Sequence, residues 1–485
     1  MNLLDLSLEE ISKKLRNKEI SCVELTKEVF KRIDEVEKDV DSFITITKEE
    51  ALKEAKIVDE KIANGEDIHM LSGIPMAIKD NICTKGIKTT CASKMLEDFI
   101  PPYDAFVTKE LKNINAICVG KTNMDEFAMG GSTENSAFKA TKNPWDITRV
   151  PGGSSGGSAA CVAAGQAFYA LGSDTGGSVR QPASFTGLVG LKPTYGRISR
   201  YGLVAFGSSL DQIGTFTRTS KDAAFVLDVL SKKDVMDSTS VECENDFIKD
   251  IDSSIEGLKI GVPRELFSEG IDEEVKNAVL HALIELQNLG ATFEEINLPN
   301  LKYSLSAYYI IAPSEASSNL SRYDGIRFGK RAEEFETLEE MYVKTRSENF
   351  GSEVKRRIMI GNYALSSGYY DAYYKKALQV RTLVKEEFEK AFSKYDVIIS
   401  PTAPNTAFKL KEKLNDPLAM YLEDMCTIPV NLAGLPALST PCGFDSNNMP
   451  IGMQIIGKAF DEKTILKVAN AYEKVTEYTK KRASL

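Results

Sequence analysis

Pro151-Gly152-Gly153-Ser154-Ser155-Gly156-Gly157-Ser158 and Asp174-Thr175-Gly176-Gly177-Ser178 are two glycine–serine blocks. Serine flanked by glycine occurs where a backbone turns sharply and leaves a hydroxyl uncovered. Upstream, Gly73-Ile74-Pro75-Met76-Ala77-Ile78-Lys79-Asp80 sets one lysine at the end of a short apolar run. Only two histidines occur in the chain, His69 and His281, and both read as structural or surface residues. A serine hydrolase without a histidine at hand needs another base, and Lys79 is the candidate.

Around these blocks, from Leu71 to about Arg218, short β-like runs (Ile74–Ile78, Ala116–Val119, Ala167–Leu171) alternate with glycine turns and small-residue helical stretches. Ser155 to Ala164 is nearly all Gly, Ala, Ser, Cys and Val, which suits a buried helix lying close behind a loop. N-terminal to this region, Ser7 with Glu10 and Ser21 with Glu24 form two capping boxes, each announcing a helix. C-terminal to it, Ser231 to Glu256 is acidic and polar and reads as a surface loop. Leu258–Pro263 (strand), Asp272–Leu289 (amphipathic helix) and Ala291–Leu298 (strand) then form a β-α-β unit, which indicates a parallel crossover. Tyr303 to Phe392 is mostly helical, Val397–Thr402 ends another strand, Gly452–Ile456 is a further strand, and a helix closes the chain. The class is α/β.

Composition narrows the function. With 485 residues, 42% hydrophobic and 27% charged, the chain can bury a sizeable core. Its formal net charge of −10 argues against a dominant phosphate-binding surface, so any RNA in the pathway is expected on another chain. The eight cysteines form no C-x-x-C pair and read as buried thiols of a reducing compartment. No stretch approaches the ~20 apolar residues of a membrane helix, and the N-terminus carries no signal pattern, so a soluble, cytoplasmic protein is expected. Gly120-Lys121-Thr122 imitates the tail of a phosphate loop, but Asn115 stands where its first glycine belongs. Nucleotide binding by this chain is not expected.

A lysine acts as a base only when neutral, and at pH 7 an unperturbed amine resists this by roughly 4.6 kcal/mol. Burial lowers a lysine pKa by up to about 3–5 units, enough to remove the barrier. Asp80 would oppose this, but neighbours on a strand point to opposite faces. Taken alone, Lys79 reads as a surface lysine at a strand end; the serine blocks change that reading.

Gly73–Asp80, Pro151–Ser158 and Asp174–Ala183, in this order, resemble the amidase signature family. Lys121–Gly130, Gly187–Thr194 and Ile428–Pro436 extend the resemblance over nearly the whole chain. It implies the amidase-signature fold, a single large domain with a central mixed β-sheet covered by helices on both faces. Residues 1–70 would supply packing helices, 71–218 the catalytic core and 219–485 the remaining α/β part with substrate-binding segments. It also implies a Ser-cis-Ser-Lys triad: Ser178 as nucleophile, Ser154 on a cis peptide as bridge, Lys79 as base. Backbone N–H groups of Thr175, Gly176, Gly177 and Ser178 would form the oxyanion hole. Ser155 and Ser158 are expected to hold the loop, with Ser154 rather than Ser155 passing the proton.

Within the family, Tyr308–Ile311, Ser314–Arg322, Glu353–Met359 and Asp424–Met425 resemble the glutaminase subunits of tRNA-dependent amidotransferases. Free glutamine brings an α-carboxylate and an α-ammonium, which call for a guanidinium and a carboxylate. The resemblance assigns these to Arg357 and Asp424, with Tyr309 beside them; the register between Arg356 and Arg357 stays open. It further implies two other subunits, one tRNA-binding and kinase-like and one small and clasping. ATP and Mg2+ belong to the partner, and this chain holds no cofactor or metal. The expected product is ammonia, used to convert Glu-tRNA(Gln) to Gln-tRNA(Gln), with Asp-tRNA(Asn) left open as acceptor. The alternative is a free-standing amidase of aryl or aliphatic amides, which would not need Arg357 and Asp424. An inactive scaffold is a third reading, opposed by Lys79, Ser154 and Ser178 standing together in their motifs.

Overall fold

In the computed structural model, which describes residues 3–268 and 270–485, one mixed sheet of eleven strands runs through the molecule. In chain order the strands are β1 (Phe43–Ile46), β2 (Pro75–Lys79), β3 (Ile117–Thr122), β4 (Tyr169–Asp174), β5 (Val189–Lys192) and β6 (Gln212–Thr217). They continue with β7 (Lys259–Pro263), β8 (Thr292–Ile296), β9 (Val397–Pro401), β10 (Ala437–Phe444) and β11 (Pro450–Gly457). Their spatial order is β1-β3-β2-β4-β6-β5-β10-β11-β9-β7-β8. The β3-β2-β4 trio is parallel, as are β9-β7-β8, and the remaining pairs are antiparallel.

Central strands buried on both faces need apolar or satisfied side chains at every position. All five residues of β2 and all six of β4 are buried, including Lys79 and Asp174 at their C-terminal ends. Helices cover both faces. On β11, a Cβ at Gly452 would meet Ser184 of helix Arg180–Thr186, while a Cβ at Gly457 would meet Ile465 of helix Glu462–Val475. Those glycines are an odd number of residues apart and therefore face opposite sides of the sheet.

Both N-terminal capping boxes form, Ser7 with Glu10 and Ser21 with Glu24. The β-α-β unit also forms as its pattern indicates: β7 and β8 pair in parallel and are linked by helix Glu273–Asn288. No regular element occurs between Leu230 and Lys259. That acidic segment is nevertheless pinned, because Phe247, Ile251 and Ile255 are buried. Strands β1, β5, β6 and β10 are not evident from patterning alone. They are short or fully buried, so they lack the alternation that marks a strand. Among the described residues no helix is long and apolar enough to cross a membrane.

Helix Gly156–Ala163 shows why small residues are needed behind the serine loop. A Cβ at Gly157 would lie 2.3 Å from the Asn123 carbonyl oxygen, 2.6 Å from its nitrogen and 2.6 Å from the Ser42 carbonyl oxygen. All three are backbone atoms that cannot swing aside. Gly157→Ala is expected to lower the unfolding free energy by about 1–3 kcal/mol in urea titration. Gly368→Ala, where nothing lies within 4 Å, should change it by less than about 0.5 kcal/mol.

Candidate active site

The C-terminal ends of parallel strands are where open α/β sheets place their ligands. Here β2 ends on Lys79 and the neighbouring β4 ends on Ser173 and Asp174. The Lys79 amine donates to Ser154 Oγ at 2.8 Å, Ser155 Oγ at 2.8 Å and Ser173 Oγ at 2.9 Å. Its cage is therefore three hydroxyls and, at 3.4 Å, the Ser173 carbonyl oxygen, with no carboxylate in contact. Burial pushes the Lys79 pKa down to about 7, against the more distant pull of Asp125, Asp174 and Asp211. Asp80 takes no part: it turns away to Thr90 N at 2.8 Å and to Lys121 Nζ at 3.4 Å. Lys121, the lysine of the phosphate-loop imitation, is fully buried and also held by Ile82 O and Thr89 Oγ1.

Ser154 and Ser155 lie at the same distance from the amine, yet their surroundings differ. Ser155 Oγ donates to Ser173 O at 3.1 Å and accepts from Ser173 N at 3.3 Å. Among the described residues, Ser154 Oγ hydrogen-bonds only Lys79. The peptide joining Gly153 to Ser154 is cis, and Gly153 N donates to Gln181 Oε1 at 2.9 Å. Ser158 holds its helix to β3 and β4 through Thr122 Oγ1 at 2.7 Å and Leu171 O at 2.9 Å.

Ser178 sits past β4, on a loop that Asp174 folds over itself. The Asp174 carboxylate accepts from Gly177 N at 2.9 Å and Val179 N at 3.1 Å. It also binds Arg180 through Nη2 at 3.0 Å and Nε at 3.1 Å, and Asn431 Nδ2 at 2.8 Å. Burial works to raise the Asp174 pKa, but the Arg180 charge and these bonds overcome it and bring it to about 2. Gly177 has a φ of +141°, and a Cβ there would meet Thr427 Oγ1 at 2.2 Å, so both conformation and space require glycine. Thr175 is pinned through its Oγ1 to Asp211 Oδ1 at 2.7 Å. Of the four amides expected to face an oxyanion, that of Gly177 is thus engaged by Asp174. Ser178 is partly exposed, whereas Lys79 and Ser154 are fully buried. Among the described residues none hydrogen-bonds the Ser178 hydroxyl. The structure brings Lys79 and Ser154 together and leaves Ser178 without a hydrogen bond to Ser154.

The second cluster centres on Arg357, which is 3% exposed while Arg356 is an exposed residue. Both arginines reach Glu353, but only Arg357 is held in the interior. Arg357 Nε donates to Glu353 Oε1 at 2.8 Å, and its guanidinium carbon lies 5.3, 5.4 and 5.6 Å from the ring centres of Tyr309, Tyr421 and Phe206. Burial works against its charge, but the Glu353 carboxylate outweighs this and holds the guanidinium protonated. Tyr309 stacks on Tyr421 at 3.9 Å and donates its hydroxyl to Asp424 Oδ2 at 3.0 Å, and Tyr421 donates to Glu353 Oε1 at 3.0 Å. Burial pushes the Asp424 pKa up to about 7, against the Tyr309 hydrogen bond and the Arg357 charge. A cavity of about 550 Å3 has Glu353, Arg357 and Tyr421 in its wall. Sequence reading finds Tyr309, Arg357 and Asp424 but misses Glu353, Tyr421 and Phe206. The i, i+4 spacing of Glu353 and Arg357 is the one local signal that could have revealed a partner. Among the described residues no cluster of histidine, cysteine or acidic side chains could hold a metal ion.

Known proteins share this architecture over their full length. The Amidase family profile matches residues 24–466. A glutamyl-tRNA(Gln) amidotransferase subunit from Carboxydothermus hydrogenoformans is 60% identical over 486 residues, covering all of both chains. Its counterpart from Bacillus cytotoxicus is 58% identical with the same coverage. The crystal structure of a glutamyl-tRNA(Gln) amidotransferase subunit from Thermotoga maritima is 45% identical with a TM-score of 0.81, covering 98% of this chain and 95% of that one. The structure of a 6-aminohexanoate cyclic dimer hydrolase superposes with a TM-score of 0.87 at 26% identity, covering 100% of this chain and 99% of that one.

The buried amine sets a pH signature of stability. With a folded pKa near 7 against about 10.4 in the unfolded chain, Lys79 binds fewer protons folded than unfolded between these values. Its burial cost is therefore complete below pH 7 and is relieved as pH rises toward 10, at up to about 1.4 kcal/mol per pH unit. Relative to Lys79→Met, which lacks the titration, the protein should gain stability between pH 7 and 9.5 in urea unfolding. A difference between the two that does not change with pH would mean the amine stays charged.

Proposed function

Because the chain belongs to the amidase family, we propose that it is the glutaminase subunit of a tRNA-dependent amidotransferase. The observation that carries the reading is Arg357, buried in an aromatic clamp and braced by Glu353, with Asp424 alongside through Tyr309. A neutral amide calls for neither charge, whereas a free amino acid needs a guanidinium and a carboxylate, and Tyr309 links the two here. The names of the full-length relatives agree with it.

In this reading the neutral Lys79 amine draws a proton through Ser154 as Ser178 Oγ attacks the glutamine carboxamide carbon. Loop amides of Thr175, Gly176 and Ser178 receive the developing oxyanion, with Gly177 N–H serving Asp174 instead. The C–N bond breaks, the nitrogen takes the proton back through Ser154, and ammonia leaves. Water then attacks the ester on Ser178, releasing glutamate and the free hydroxyl. Arg357 holds the α-carboxylate and Asp424 the α-ammonium. Ammonia passes to a tRNA-binding, kinase-like partner that activates Glu-tRNA(Gln) with ATP and Mg2+, and a small third subunit clasps the two in the cytoplasm. The net charge of −10 fits tRNA being held by that partner.

Ammonia release from glutamine by the assembled subunits tests this reading. Ser178→Ala is expected to lose at least about 1,000-fold in kcat. Arg357→Met should raise KM for glutamine about 30- to 1,000-fold while leaving a neutral amide untouched. Equal loss on both substrates would exclude the zwitterion site, and turnover of simple amides without any of glutamine would make the chain a stand-alone amidase.

The pH profile supplies a further check. On a neutral amide, kcat/KM should rise with an apparent pKa near 7 as Lys79 loses its proton. On glutamine the rise should be steeper, because Asp424, also near 7, must ionise to hold the ammonium.

A further inference from the structure

Tyr308 stands next to Tyr309 in helix Ser304–Asn319 but faces a different part of the site. It is 3% exposed, and its ring meets that of Tyr309 edge-on at 5.0 Å. A Cβ built on Gly176 would lie 2.7 Å from the Tyr308 hydroxyl oxygen, so this phenol rests directly on the loop that carries Ser178. The charges of Arg357, Asp424, Asp211 and Asp174 all act on it. It therefore lies within reach of the charged cluster as well as the nucleophile loop.

The Tyr308 ring is buried, but its hydroxyl, unlike those of Tyr169 and Tyr472, is not sealed from solvent and can meet a ligand. Among the described residues none hydrogen-bonds the Tyr308 hydroxyl, whereas its neighbour Tyr309 is satisfied by Asp424. Burial holds the phenol protonated, so it offers one donor and an acceptor. Gly176 is one of the amides assigned above to the oxyanion, which sets the hydroxyl beside the carboxamide end of a bound substrate rather than its α-carbon end.

We propose that the Tyr308 hydroxyl is a substrate-positioning group that hydrogen-bonds the carboxamide, seating it against Gly176 for attack by Ser178. This rests on the glutaminase reading for glutamine, but the carboxamide is common to every amide substrate. The contact thus separates from those of Arg357 and Asp424 by which substrates feel its loss.

Tyr308→Phe in the full chain, assembled with its partner subunits, removes the hydroxyl and keeps the ring against Gly176. With glutamine and with butyramide, which lacks both α-groups, kcat/KM should fall by the same factor, about tenfold. Arg357→Met should affect glutamine alone. The urea midpoint of Tyr308→Phe should match wild type, since no described residue loses a hydrogen bond, and this excludes a merely structural role. Unchanged kcat/KM on both substrates, or a loss confined to glutamine, would overturn the proposal. A lowered urea midpoint with parallel losses would overturn it too, by making the hydroxyl a structural element. Turnover of butyramide without turnover of glutamine by wild type would instead defeat the glutaminase reading, and the butyramide comparison would still judge Tyr308.

Discussion

The ion pair between Asp174 and Arg180, with both side chains fully buried, is the constraint on which the site depends. Taking two charges out of water costs several kcal/mol each, and the cost is recovered only where hydrogen bonds are nearly complete. They are here. Asp174 gathers the amides of Gly177 and Val179 and the side chain of Asn431, while Arg180 reaches Thr427 O at 3.1 Å and Gln454 Oε1 at 2.6 Å, and Asn431 Oδ1. One pair therefore folds the Ser178 loop and ties it to the segment carrying Asp424. Removing either partner would leave an uncompensated charge in the core.

The same burial that makes this pair costly unless complete lets the Lys79 amine shed its proton near neutral pH. A carboxylate against its amine would hold the proton; three hydroxyls do not. Two buried lysines stand on the neighbouring strands β2 and β3 with opposite treatment. Lys121 has Asp80 at 3.4 Å, and Lys79 has only serines. The alternation of strand side chains sends Asp80 to Lys121 and away from Lys79. Chemistry at β2 thus follows from one residue of strand register.

Around Arg357 the logic reverses. Its charge is kept, by Glu353 and by the faces of three aromatic rings, and its orientation is fixed through Nε. Arg356, one residue earlier on the same helix, is exposed, because successive helical residues point about 100° apart. Tyr308 and Tyr309 divide in the same way, one resting on the Ser178 loop and the other bonded to Asp424.

Much of this was legible in the chain itself. The apolar run before Lys79 announces burial and capping boxes announce helices, because each is a local rule acting over a few residues. The glycine–serine blocks announce tight turns, but only Ser178 is partly exposed, while Ser154, Ser155 and Ser158 are fully buried. The α/β class and the β7–β8 crossover followed from spacing alone. Strands β1, β5, β6 and β10 did not, since β1 is only four residues long and the others are almost wholly buried, which removes the alternation that would mark them. Nor could the sequence show that Gly177's amide is taken by Asp174, that Glu353, Tyr421 and Phe206 enclose Arg357, or that Ser155 is committed to Ser173 while Ser154 is not. Asp174 with Gly177 and Glu353 with Arg357 are local pairs whose bonds depend on how the loop and helix are buried. Phe206 and Tyr421 around Arg357, and Ser173 beside Ser155, come from distant segments that only the packed fold brings together. Sequence determined which chemical groups are present and how the backbone bends beside them; tertiary structure decided which of them lose water together, and so which are charged, which are neutral and which are left with a bond to give.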